Sequence, residues 1–293
     1  MSEDGSTLAR RQLGKYLRNG REECGFTLQQ VAELIERSAS TLQRMETGVA
    51  AHIRTPDLEA LCKIYGFGPE QSVAMKGLAR QGNEQNWWYE YGDLLPENFD
   101  FYVGLEASAQ QLTTYEPELV PGLLQTPAYA SAMIRSVYPD EDPHEHARRV
   151  KLRMRRQIRI TRKHQPAALD VILRESSLCG VVGGAKVMGA QMRYLLDMDT
   201  RSNVGIQILP FSAGFPLGVS AGPFVILGFG HDRQGHPAEP PVVYIESYTG
   251  DLYLTKPDAI RRYHEAYEGI RRCAMNREAS RALLRKMAKE FGA

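Results

Sequence analysis

Between residues 38 and 44 the chain sets four small side chains, Ser38, Ala39, Ser40 and Thr41, ahead of Gln43 and Arg44. Each type has a use against duplex DNA. A guanidinium fork can donate twice to a guanine edge, and a carboxamide can bond an adenine edge in the same two-point way. Hydroxyls suit phosphate oxygens, and small residues let a backbone approach a surface closely. A second cationic group, nine Lys and Arg with no acid among them, runs from Arg148 to Lys163. It could neutralise phosphates or meet carboxylates.

Bond-breaking chemistry has no comparable constellation. The seven histidines, at 52, 144, 146, 164, 231, 236 and 264, form no HExxH. His144 and His146 are too close in sequence to share one helix face. Residues 180–186 are glycine-rich ahead of a helix but lack the GxxxxGKS or GxxxxGKT spacing, so they read as a tight turn. There is no GxSxG elbow, and Arg174-Glu175 reads as an ion pair at a strand end. Cys24, Cys62, Cys179 and Cys273 lie far apart without a CxxC. That argues against a disulfide framework or a zinc site and suits a reducing cytosol. The expectation is therefore no catalysis, no cofactor and no bound metal.

The elements that must position residues 38–44 follow from local signals. Leu13 and Leu17 repeat at helical spacing in a first helix running to about Cys24, closed by Gly25. Thr27 with Gln30 fits a capping box and opens a second helix, with Val31, Leu34 and Ile35 inward. Ser38 caps a third, with Leu42 and Met45 inward and Gly48 as its stop. Thr55-Pro56 opens a fourth with a cap and a first-turn proline, carrying Leu58, Leu61, Cys62 and Tyr65. Pro69 begins a fifth ending near Arg80. Residues 1–82 thus form an all-α, five-helix domain. Its central pair, joined by Glu36-Arg37, has the form of a helix-turn-helix, which places the start of its second helix in the major groove.

The chain has 293 residues, 43% hydrophobic and 24% charged, which excludes wholesale disorder and suits two domains. No apolar run is long enough to span a membrane. The first 17 residues carry acids and no apolar core, so no signal peptide is expected. Residues 83–293 form the second domain. Its opening connector, 83–105, contains Trp87, Trp88, Tyr89, Tyr91, Phe99, Phe101 and Tyr102. Exposed aromatics at that density would aggregate, so the connector is expected to dock on the second domain, with Trp87 and Trp88 also open to a ligand or partner. A helix after Pro127, a long helix from about Pro143 to Lys163, and another from Ala185 to Leu196 are expected. Strand-like runs lie at 168–173, 204–209, 223–229, 242–247 and 251–255. Helices from Pro257 and Ser280 end the pattern. The fold class is α+β overall, the second domain having a mostly antiparallel sheet covered by helices.

The run GFTLQQVAELIERSASTLQRMETG, residues 25–48, resembles the lambda-repressor-like, XRE-type helix-turn-helix. Thr27, Val31-Ala32, Ser38, Leu42, Met45, Glu46 and Gly48 fall on its pattern. Leu28 departs from it, at a position where such proteins often carry a phosphate-contacting glutamine. The segments EPELVPGLLQT, RRVKLRMRRQ, LRESSLCGVVGG and VGIQILPFSAG resemble the C-terminal domain of WhiJ-like regulators. The resemblance implies an Arg21–Glu46 ion pair between the first and third helices. It also implies a small acidic partner protein, in an arrangement likened to toxin–antitoxin pairs. In a helix-turn-helix, base reading falls to Ala39, Ser40, Gln43 and Arg44. Phosphate holding falls to Ser38, Thr41 and Arg54, with Thr27 and Gln30 at the start of the second helix.

Net charge is +1, but residues 83–147 carry −11 and residues 148–293 carry +11. Three uses of the basic helix are open: answering the acidic block or an acidic partner, touching DNA, or lying on a membrane, for which it lacks aromatic anchors. The first is favoured, with Arg149, Arg153 and Arg156 as its contacts. The function expected is that of a cytoplasmic, homodimeric, sequence-specific DNA-binding transcriptional regulator. Its second domain would sense a small molecule or an acidic partner, and double-stranded operator DNA is its main ligand. The alternative is an antitoxin-like member of a two-protein module that regulates itself through DNA.

Overall fold

Leucines four residues apart bury one face of a helix, and Leu13 and Leu17 are both fully buried in the first unit of this protein. The structure, a computed structural model, describes residues 8–50, 53–68, 71–72, 75–76, 78–79, 88, 91, 93–94, 99–230, 240–248 and 250–292. Two compact units divide at Ser108 and Ala109. The first contains α1 (Leu8–Glu23), α2 (Leu28–Leu34), α3 (Ala39–Glu46), α4 (Thr55–Ile64) and α5 (Phe99–Ser108). Its core joins Leu13, Leu17, Val31, Leu42, Leu58 and Leu61 with Met45, Cys62 and Tyr65. The helix expected from Pro69 lies partly outside the described residues; 71–72, 75–76 and 78–79 are helical.

Two local expectations shift. Leu34 is 59% exposed, and Ala32 takes its inward place. At about 100° per residue, Val31, Ala32 and Ile35 share one arc and Leu34 falls outside it. The cap of α4 is Arg54, not Thr55, which is the first helical residue beside Pro56. In the connector, Trp87, Tyr89 and the side chain of Phe101 lie outside the described residues. Trp88, Tyr91 and Tyr102 are buried and belong to the first unit.

The second unit is built on a six-stranded mixed sheet in the order β3-β2-β1-β4-β5-β6. The strands are β1 (Gln111–Glu116), β2 (Ala168–Arg174), β3 (Val204–Leu209), β4 (Phe224–Gly228), β5 (Val242–Ser247) and β6 (Gly250–Leu254). All five strand-like runs are strands. The central one, β1, was not expected: it pairs parallel with β2 (Leu112 opposite Leu169) and antiparallel with β4 (Thr114 opposite Val225). Three of the five pairings are antiparallel and two, β1–β2 and β2–β3, are parallel.

The crossover from β1 to β2 holds α6 (Pro127–Val137), α7 (Pro143–Arg156) and α8 (Ile158–Thr161). The expected single helix to Lys163 is broken at Gln157. There the Gln157 amide nitrogen donates to the Gly122 and Gln125 carbonyls at 3.3 and 2.7 Å, and its Oε1 accepts from Tyr194 Oη at 2.9 Å. Gln125 donates to the Val120 carbonyl, and Gln191 bonds both the Leu124 carbonyl and the Thr126 amide. Three glutamines therefore hold loop 120–126.

The short α9 (Ser176–Cys179) follows β2, and α10 (Ala185–Met198) leads to β3. Past β6, α11 (Pro257–Cys273) lays Ile260, Tyr267 and Ile270 on Tyr115, Ile172, Phe224 and Val243. The last helix, α12 (Arg277–Glu290), starts at its Asn276 cap, before the expected Ser280. Ser280 is buried and accepts from the Ile208 amide, while the Met275 amide donates to the Ile208 carbonyl. The outer edge of β3 is thus closed, as an edge strand needs to be to avoid pairing with other chains. Buried Asp199 completes the closure: it accepts from the Ile206 amide, Arg277 and Arg281. No helix among the described residues is long and apolar enough to cross a membrane.

Glu116 ends β1. Burial, with the charges of Glu246 and Glu118 added, pushes its carboxyl up to about 8. The folded form therefore keeps a proton that the unfolded chain loses above about pH 5, so stability falls as pH rises towards about 8 and then levels off. Glu116→Gln should remove that component. Melting temperatures of wild type and variant, followed across this range, should converge at acidic pH and diverge in the variant's favour at alkaline pH; parallel curves would reject the assignment.

Candidate nucleic-acid interface

Residues 25–48 build a two-helix corner with a fixed exit. Thr27 Oγ1 accepts from the Gln30 amide at 3.3 Å, and Gln30 Oε1 accepts from the Thr27 amide at 2.9 Å, a reciprocal cap on α2. Both side chains are exposed but committed to each other. The turn after α2 passes through Glu36, which has φ 54°. Arg37 then donates from Nε and Nη2 to the two carboxylate oxygens of buried Asp57, each at 3.1 Å, tying the turn to α4. Ser38 caps α3 by accepting from the Thr41 amide at 3.2 Å, and its hydroxyl also meets those of Ser40 and Thr41 at 2.9 and 2.8 Å.

The two sides of α3 differ. Leu42, Met45 and Glu46 are buried, whereas Ser40, Gln43 and Arg44 are exposed and Ala39 and Thr41 are half-buried. With about 100° per residue, Ser40, Gln43 and Arg44 cover roughly 100° of arc, opposite an equal arc holding the buried three. Arg44 makes no ion pair among the described residues. Arg54 is exposed at the start of α4, and its side chain caps nothing. The surface combines one free guanidinium, a carboxamide and three hydroxyls on a short helix whose far side is packed.

What holds that far side is a two-point ion pair. Arg21 Nε donates to Glu46 Oε1 at 2.7 Å and Nη2 to Oε2 at 2.9 Å; Nη1 donates to the Phe26 carbonyl at 2.9 Å. The Glu46 side chain is 3% exposed. Its hydrogen bond holds the Arg21 guanidinium above the usual arginine value. Close backbone approach completes the fit. A Cβ on Gly14 would stand 2.6 Å from the Glu46 carbonyl, and one on Gly48, at φ 76°, 2.9 Å from the Arg11 Cα. The Arg37–Asp57 pair was not anticipated: its partners are twenty residues apart and no motif links them.

The other candidate contacts scatter. Trp87 lies outside the described residues. Trp88 is 1% exposed, and Arg156 is buried near Gly122, so burial is at odds with a surface contact for either. Arg149 Nε donates to Glu141 Oε1 at 2.5 Å and its guanidinium lies 4.0 Å from the centre of the Tyr138 ring. Arg153 donates to Gln125 Oε1 at 3.0 Å. These partners of Arg149 and Arg153 lie in the stretch around α6 and α7 of the second unit.

Removing one partner of a buried pair leaves the other charge stranded, at a cost of about 3–5 kcal/mol. Glu46→Ala should accordingly lower the melting temperature of the first unit well beyond error; an unchanged value would show that the pair does not hold α3. Glu36 pays for a left-handed backbone that glycine adopts freely, so Glu36→Gly should stabilise the same unit by about 0.5–1 kcal/mol. A loss of stability in urea titration would refute that reading of the turn.

Residues 12–74 match the family model described as "Helix-turn-helix domain". Residues 99–286, more than half of the chain, match "Domain of unknown function (DUF5753)". A search of the curated proteins found no match, and neither did a search of the solved structures. The exposed, rigidly backed α3 within residues 12–74 and the sheet domain within residues 99–286 together place the chain: it belongs to the DUF5753 family and carries a helix-turn-helix DNA-binding domain ahead of that domain.

Proposed function

We propose that the protein is a sequence-specific transcriptional regulator. Its residues 8–68 read an operator in duplex DNA, and its residues 109–293 respond to a small molecule or an acidic partner protein. The observation that carries the reading is the outer arc of α3, where Ser40, Gln43 and Arg44 stand exposed while Leu42, Met45 and Glu46 anchor the helix from behind. Arg44 addresses a guanine, Gln43 an adenine, and Ser38, Thr41 and Arg54 hold phosphates. As a homodimer the protein would meet two half-sites about one helical turn, roughly 10 bp, apart.

Arg44→Ala tests the base assignment. It should weaken binding by about 1–3 kcal/mol at one base position of the footprinted site and relax preference there. Equal weakening on every sequence would make Arg44 a phosphate contact.

A further inference from the structure

The basic stretch 148–163 falls into two groups that behave differently. In α7, cations find side-chain acceptors: Arg149 meets Glu141 and Arg153 meets Gln125. Beyond Gln157 the acceptors change. Arg159 donates from Nε at 2.7 Å and from Nη2 to the Ala109 carbonyl. Arg162 donates from Nε and Nη2 to the Gln165 carbonyl at 2.9 and 2.7 Å, and Arg159 Nη1 reaches the same oxygen at 3.4 Å. Arg201 Nη1 donates to the Thr161 carbonyl at 3.4 Å. Lys163 and His164 are exposed beside them. Every acceptor is a backbone carbonyl, and no carboxylate among the described residues pairs with these arginines.

The platform beneath them is rigid and has a defined place. The Ala167 amide donates to the Arg159 carbonyl, and Asn203 Nδ2 donates to the Ile160 and Ala167 carbonyls at 3.0 and 2.8 Å. Ala109, Ala167 and Asn203 immediately precede β1, β2 and β3 or stand one residue further out. The cluster therefore caps the amino ends of three parallel strands, whereas Glu116, Glu175 and Glu246 lie at or near the carboxyl ends of β1, β2 and β5. Burial and the neighbouring Arg162 charge lower Arg159 to about 10, the direction expected of cations held together without a counter-charge.

Cations gathered without a carboxylate are suited to an anion supplied from outside. We propose that Arg159, Arg162, Lys163 and Arg201 form a second, sequence-independent DNA contact that binds backbone phosphates. The inference rests on the helix-turn-helix reading above. Duplex DNA is favoured over an acidic protein because the same chain carries a DNA-reading helix, and covalent linkage raises the local concentration of duplex once that helix is bound. Arg162 and Arg201 keep unused N–H groups, and Lys163 keeps all of its donors, so phosphates can be met without breaking the carbonyl bonds of the platform.

The test uses the full chain and three exposed positions, Arg162→Gln, Lys163→Gln and Arg201→Gln combined. Binding to a random-sequence duplex of about 40 bp, roughly four helical turns, is measured across a salt series. Each phosphate contact contributes about −0.9 to the slope of log K against log salt, so the triple variant should be shallower by about two to three units and weaker on all sequences alike. Its preference for the footprinted site over the random duplex should persist, and its melting temperature should stay within error of wild type. Operator preference retained with an unchanged slope would overturn this proposal alone. An unchanged slope together with lost retention on polyglutamate would assign the surface to an acidic protein and overturn the DNA assignment. Absence of salt-dependent binding by the wild type to any duplex would overturn the helix-turn-helix reading and this one with it.

Discussion

A helix of eight residues cannot hold its own shape in water, because too few hydrogen bonds repay its nucleation. α3 persists because the Glu46 carboxylate, buried at its end, is held at two points along one edge of a guanidinium on α1. That single interaction dictates much else in the first unit. It requires α1 and α3 to approach so closely that residue 14 has no room for a side chain. It brings Arg21 within reach of the Phe26 carbonyl, which locks the connection into α2. Among the described residues the opposite arc of α3, with Ser40, Gln43 and Arg44, stays exposed. Arg37 and Asp57 repeat the device on the other side of the turn.

One irregular segment of the second unit is held by neutral groups instead. Loop 120–126 has no secondary structure beyond one short turn, yet its carbonyls and amides are met by Gln125, Gln157 and Gln191. A carboxamide carries both a donor and an acceptor, so a buried glutamine can satisfy two backbone groups of opposite kind without bringing a charge into the core. Gln191 does this to adjacent parts of one loop. The cost of burying backbone without regular structure is thereby offset.

The legible parts of the structure were those set by neighbours in sequence. Thr27 with Gln30, and Ser38 ahead of Leu42, announce helix starts because their hydrogen bonds span three residues. The strand runs of β2 to β5 are apolar enough to declare themselves. β1 escaped notice because Thr113 and Thr114, polar by type, are buried at the middle of the sheet and interrupt the alternation. The break at Gln157 was hidden for another reason: its acceptors lie 32 and 35 residues away, beyond any local pattern. The Arg21–Glu46 pair came from family resemblance, since a separation of 25 residues carries no periodic signal. The division within the basic stretch was equally invisible, because a run of like charges says nothing about which acceptors the fold will present.

The position of β1 has a consequence for the order in which the protein takes shape. β1 is needed by both halves of the sheet, but its parallel partner is complete only at Arg174 and its antiparallel partner only at Gly228. Pairings so distant in sequence form slowly, since loop closure comes before any reward. The last of α1 through α4 ends at Ile64, 164 residues before β4 is complete at Gly228, a lag of roughly 8–33 s at a ribosomal rate of about 5–20 residues per second. A growing chain thus presents an assembled helix-turn-helix while β1 still waits for its partners, so the apolar sheet face, and not the helical unit, is the stretch exposed to chaperones and to misassembly.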